Sequence, residues 1–110
     1  MYKFKINKFQ ESFAALLGAF LWDGKDETID LINQYLKEVK GNNWSAGRCW
    51  NDETNKNDSD HLFISERNEP YTSNTFFGPD QYVVHTEGGY FHPYSKDDLV
   101  RKNIELIEYV

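Results

Sequence analysis

Cysteine is nearly missing from this chain: Cys49 stands alone, so neither an internal disulfide nor a multi-cysteine zinc cage can form. Such sparse thiol usage fits a reducing compartment. No stretch approaches the roughly 18 consecutive apolar residues that a membrane-spanning helix needs. Met1–Ile6 alternates instead of forming the apolar run of a signal peptide, and the expectation is a soluble, cytoplasmic protein. Glycine-rich phosphate cradles are missing too, with neither G-x-G-x-x-G nor a Walker pattern present. Positive charge is in deficit: 12 Lys and Arg face 18 Asp and Glu, a net charge of -6. That field repels nucleic-acid phosphates and attracts cationic partners, which disfavours direct DNA or RNA binding.

Aromatic residues are plentiful, with 8 Phe, 7 Tyr and 3 Trp among 110 residues. Each large ring buries more area than an aliphatic side chain, so a folded core is expected despite the modest hydrophobic fraction. The length suits one domain spanning residues 1–110.

Periodicity then suggests the elements. "YKFKI" (2–6) alternates and reads as a strand. Phe9, Phe13, Leu16, Leu17, Phe20 and Leu21 recur at helical spacing and predict a first helix ending near "WDG". A second helix is predicted to open at Asp26, acting as cap, with an apolar stripe of Ile29, Ile32, Leu36 and Val39, and to stop at Gly41. Beyond it "NNWSAGRCW" reads as a strand or strand-loop, "NDETNKNDSD" (51–60) as a solvated loop, and "HLFISE" as a strand. Ser95 and Asp98 have the spacing of a capping box, which predicts a short last helix. The end of the chain, "NIELIEYV", fits strand or helix, with a strand after Asn103 preferred. The expected fold class is α+β: two N-terminal helices packed on a mostly antiparallel sheet, a short C-terminal helix and a possible final strand.

"VVHTEGGYFHPY" (83–94) reads as a hairpin. If Gly88 and Gly89 are its two loop residues, Glu87 opposes Tyr90, Thr86 opposes Phe91 and His85 opposes His92. Val83, His85, Glu87, Tyr90, His92 and Tyr94 then share a polar-aromatic face. Two imidazoles at that spacing, roughly 5 Å between Cβ atoms, could share a metal ion with Glu87 or relay protons. The arginines (Arg48, Arg67, Arg101) have no sequence tie to this hairpin, however, so an enzyme built on it is the weaker reading. Cys49 beside Arg48 reads as a structural thiol before a nucleophile. The acidic 51–60 loop lacks the glycine of a calcium-binding EF-hand. No cofactor and no metal is expected.

The charge is lopsided. Residues 42–95 contain Arg48, Lys56 and Arg67 against eight acids: Asp52, Glu53, Asp58, Asp60, Glu66, Glu69, Asp80 and Glu87. Trp44, Trp50, Tyr71 and Phe76 lie in the same turn-rich region, and aromatics rimmed by polar groups have the composition of binding hot spots. These twelve residues, with His85, Tyr90 and His92, form the expected partner-binding set. In size, acidity and overall build the chain resembles the immunity proteins of bacterial toxin systems, without a residue-level motif. That resemblance implies a non-enzymatic antitoxin: an inhibitor that covers the active site of a basic nuclease toxin. The alternatives are a phage-type anti-defence protein or nucleic-acid mimic, and a histidine- or metal-dependent enzyme using the 85/92 hairpin.

Overall fold

The structure is a computed structural model that describes residues 2–6, 16–86 and 89–108. The described elements are β1 (Tyr2–Ile6), β2 (Leu16–Leu21), α1 (Asp26–Val39), β3 (Trp44–Arg48), β4 (Leu62–Asn68), β5 (Tyr71–Phe77), β6 (Tyr82–Thr86), β7 (Phe91–Tyr94), α2 (Lys96–Arg101) and β8 (Ile104–Glu108). They form a five-stranded sheet of order β7-β6-β2-β1-β8 and a three-stranded sheet of order β3-β4-β5. Every strand pairing is antiparallel.

Contacts divide the chain into two compact units, residues 1–21 with 80–110, and residues 22–79. The first holds the five-stranded sheet and α2, the second α1 and the three-stranded sheet. No helix among the described residues is long and apolar enough to cross a membrane.

The expected pair of N-terminal helices on one sheet is overturned. Of the residues assigned to the first helix, Phe9 and Phe13 lie outside the described residues, while Leu16–Leu21 forms β2. This strand runs between β1 and β6, and Gly18, Ala19 and Phe20 are buried. A central strand covered on both faces reads as a continuous apolar run, which over six residues matches a helical stripe equally well. β5 is a second correction: "YTSNTFF" had read as turn-rich, yet it pairs with β4 in unbroken register from Leu62↔Phe77 to Asn68↔Tyr71. Its polar residues on both faces hide the strand period.

Two other expectations hold. Ser95 caps α2 through a full capping box: its hydroxyl accepts from the Asp98 N–H at 3.1 Å, and the Asp98 carboxylate accepts from the Ser95 N–H at 2.9 Å. The segment after Asn103 is strand β8, which pairs with β1 from Tyr2↔Glu108 to Ile6↔Ile104.

The Ser95 hydrogen bonds, chiefly that from the backbone N–H, together with Arg101, hold the Asp98 carboxyl below its ordinary value of 3.8. A depressed folded pKa means that the stabilisation is complete above the unfolded value and is lost as pH falls through the folded one. Denaturation measured from pH 5 down to pH 2 is expected to show wild-type stability falling faster below about pH 4 than that of Asp98→Asn, which starts lower and lacks this component.

In the second unit, α1 begins where expected, but Asp26 is not its cap. The N-cap residue is Lys25, whose side chain makes no capping bond. Asp23 Oδ1 instead accepts from the Lys25 N–H at 3.0 Å and the Thr28 hydroxyl at 2.7 Å. Partial burial acts to raise the Asp23 pKa, but these bonds from Thr28 and Lys25 outweigh it and bring the carboxyl below its ordinary value. At the other end Lys40 and Gly41 both donate to the Leu36 carbonyl, and Gly41 takes φ 87°, the left-handed stop that glycine adopts without strain. The helix packs on β3. There the Asn33 side chain accepts from the Ala46 N–H at 2.9 Å and donates to the Ala46 carbonyl at 3.0 Å, satisfying backbone groups that an edge strand leaves bare.

Candidate functional site

Alternation along β4 sorts the three-stranded sheet into two faces. Leu62, Ile64 and Phe77 are buried and belong to the core side, while Trp22, Ile32 and Leu36 are fully buried in the same unit. The opposite face carries Gly47, Phe63 and Phe76 in one cross-strand row, then Ser45, Ser65 and Asn74 in the next. Phe63 lies directly over Gly47: a Cβ at that position would stand 3.0 Å from the ring. Two shallow depressions of about 230 Å³ each mark this face, one lined by Cys49, Trp50, Asn57, Phe63, Asn74 and Phe76, the other by Asn42, Asn43, Ser45, Ser65, Arg67 and Thr72.

The expected aromatic anchors separate accordingly. Trp50 and Phe76 are 54% and 58% exposed and meet at the first depression. Tyr71 is exposed at the far end of the sheet, where β4 turns into β5. Trp44 is half-buried, with the Lys40 ammonium 5.1 Å from its ring centroid. Phe63, Asn57 and Asn74 complete the depression and had not been singled out. The alternation "LFIS" turns Phe63 outward, since Leu62 and Ile64 face inward, but only the cross-strand register brings it together with Asn57 and Asn74.

The acidic residues fall into groups. Asp52, Glu53, Asp58 and Asp60 lie together in the loop between β3 and β4. Glu66 in β4 and Glu69 in the following turn lie away from the loop end of that strand, about 13 Å and more than about 20 Å along it. Asp80 belongs to the other unit, and Glu87 lies outside the described residues.

The 51–60 loop is built, not merely solvated. Asn51 and Lys56 form a β-bridge, Asn55 takes φ 54°, the Thr54 hydroxyl donates to Asp58 at 2.6 Å, and the Asn57 amide donates to the Arg48 carbonyl at 3.1 Å. The Trp22 indole N–H donates to the Asp60 carbonyl at 2.7 Å and ties the loop to a fully buried ring.

Charge accumulates here for lack of neutralising partners. Residues 22–79 hold eleven acids and six Lys and Arg, a net -5 of the chain's -6. Arg48 is committed elsewhere, bonding Asp26 at 2.9 Å and the Gly24 carbonyl, with its guanidinium 5.2 Å from the Trp22 ring centroid. Among the described residues no Lys or Arg pairs with any acid of the 51–60 loop; Asp60 meets His61 Nδ1 at 2.7 Å.

Cys49 is half-buried beside this loop, and burial pushes its thiol up from the ordinary value of 9.0. It is therefore a neutral thiol near pH 7, opposite to an activated nucleophile. Its reaction with a disulfide reagent is expected to run several-fold slower than that of a free thiol at pH 7.5, with the midpoint of its pH-rate profile above 9.0.

The histidine hairpin departs from its expected register. Val84 faces His92 and His85 faces Phe91, while the Thr86 N–H donates to the Tyr90 carbonyl. The register is one residue off the two-glycine reading, and a slip of one moves side chains to opposite faces. Gly89 at φ 88° supplies the left-handed residue that closes three-residue hairpin loops. Consequently His85 is buried and stacks on Phe91, centroids 4.5 Å apart and planes 8° apart. His92 instead lies exposed between Tyr90 and Tyr94, at 6.3 and 6.4 Å. Burial, then the Asp98 charge, raises the Tyr94 pKa, and Lys102 stands 5.5 Å from its ring centroid. The paired imidazoles of a metal or proton-relay site are thus not formed. Among the described residues no three His, Cys, Asp or Glu side chains come together as a metal site.

No family model, curated protein or solved structure matches this chain.

Proposed function

We propose that the protein is an inhibitor of immunity type, which binds a basic protein partner, a bacterial nuclease toxin, and covers its active site. One observation carries this reading: the 51–60 loop gathers four carboxylates without a Lys or Arg partner beside an exposed Trp50–Phe76 patch. A nuclease is cationic where it holds its substrate. An acidic loop aimed there gains steered, fast association, while the aromatic patch supplies burial that slows dissociation. The loop's internal bonds fix its shape before binding, which lowers the ordering cost of association.

The proposed contact uses only part of the acidic set. Asp52, Glu53, Asp58 and Asp60 act as one group with Trp50 and Phe76, whereas Glu66 and Glu69 lie too far along the sheet to share a small contact with them. The test is affinity capture from the native source with the tagged chain. Recovery of a basic nuclease, whose turnover falls to zero at one equivalent of added protein, supports the proposal. A neutral or acidic partner, or a nuclease that stays fully active in the complex, removes it.

A further inference from the structure

The three-stranded sheet has two edges, and they are treated differently. At β3 the Asn33 side chain occupies the outward N–H and C=O of Ala46. Outward groups at Ala46 make Ala46↔Ile64 a non-hydrogen-bonded pair, so Ile64 directs its own N–H and C=O to Thr75 on β5. The alternation then continues along β5. Ser73, Thr75 and Phe77 bond back to β4, while Thr72, Asn74 and Phe76 present their N–H and C=O outward.

Nothing among the described residues pairs with these three. β5 itself carries none of the devices that blunt an edge from within the strand: it has no charged residue, no proline and no register break over seven residues. Thr72, Asn74 and Phe76 are exposed, and their side chains line the two depressions of the open face.

We propose that β5 is a strand-addition edge, and that its occupant is an extended, cationic segment of a partner protein. A strand laid antiparallel or parallel along β5, about 4.8 Å away, satisfies the three outward residues and extends the sheet to four strands. Its alternate side chains fall beside Thr72, Asn74 and Phe76, so an apolar residue packs on Phe76 and polar ones reach Asn74 and Thr72. Charge selects the occupant: the unit's net -5 repels a second copy of this chain and attracts Lys- or Arg-bearing segments. The proposal rests on the basic partner of the preceding reading for the sign of that charge; the open edge itself is independent of it.

The experiment selects random twelve-residue peptides, displayed on phage, against the intact chain. Enriched peptides are expected to be β-prone and basic, and to protect the Thr72, Asn74 and Phe76 amides from hydrogen exchange. They are expected to lose at least tenfold in affinity with Asn74→Pro. That substitution removes an outward N–H and leaves the β4 pairing intact. Asn74→Ala, which keeps the N–H, is expected to stay within about twofold.

Peptides that bind Asn74→Pro equally well, protect other segments or are acidic overturn the proposal. So does a dimer in sedimentation whose protected amides are these three, since the occupant is then a second copy. The pair Asp52→Lys and Glu53→Lys separates the two readings. With the captured partner, sensitivity to this pair without sensitivity to Asn74→Pro sinks strand addition alone, and the reverse sinks the acidic-loop reading alone.

Discussion

Trp22→Ala is expected to destabilise the protein by about 3–5 kcal/mol, read as a fall in the chemical denaturation midpoint. The ring is fully buried, so its removal leaves a large cavity in the smaller sheet's unit. Two further losses add to this: the Asp60 carbonyl loses its 2.7 Å donor, and the Arg48 guanidinium loses the aromatic face beneath it. Typical domains are stable by only about 5–15 kcal/mol, so this one substitution removes a large share of the total. Trp22→Phe separates the components. It retains most of the burial but not the indole N–H, and is expected to cost about 1–3 kcal/mol. Hydrogen exchange should show the loss locally as well, because residues 51–60 lose an anchor in both variants.

The second large effect is on association. Reversing Asp52 and Glu53 together to lysine is expected to slow binding to the captured partner by about 10–100-fold at low ionic strength, with a much smaller change in the dissociation rate. Both residues are exposed and without a Lys or Arg partner, so folding stability should change little. Glu69→Lys serves as the control. It introduces the same kind of charge change beyond the far end of β4 and, at about 0.1 M ionic strength, where the Debye length is about 10 Å, is expected to alter the rate by no more than about twofold.

How far these features could be read beforehand depended on whether one local signal dominated. At α2, Ser95 and Asp98 specify a helix start through a reciprocal pair of bonds, and no tertiary contact is needed to see it. α1 was visible from its stripe and Gly41, although Asp26 proved not to be its cap: the N-cap is Lys25, and Asp23, across the bend at Gly24 (φ 80°), holds the Lys25 N–H and the Thr28 hydroxyl.

β2 was misread for a physical reason: a strand buried on both faces loses its period of two, and only its neighbours β1 and β6 reveal it. β5 failed in the opposite way, since a strand polar on both faces shows no period at all and takes its register from β4. The hairpin was recognised as such, but two adjacent glycines accommodate two-residue or three-residue loops. That single residue decides whether His85 meets His92 or Phe91. Of the residues in the proposed contact, the loop acids and Trp50 and Phe76 were singled out from charge and composition. Phe63, Asn57 and Asn74 required the cross-strand register that brings them to one depression.

The most direct measurement is the association rate of the chain with its captured partner across ionic strengths from about 20 to 500 mM. The account predicts a steep fall with salt for the wild type and a nearly flat dependence for the Asp52→Lys, Glu53→Lys pair, the two converging at high salt. A wild-type rate indifferent to salt, or equal slopes for both proteins, would show that the 51–60 carboxylates do not guide binding.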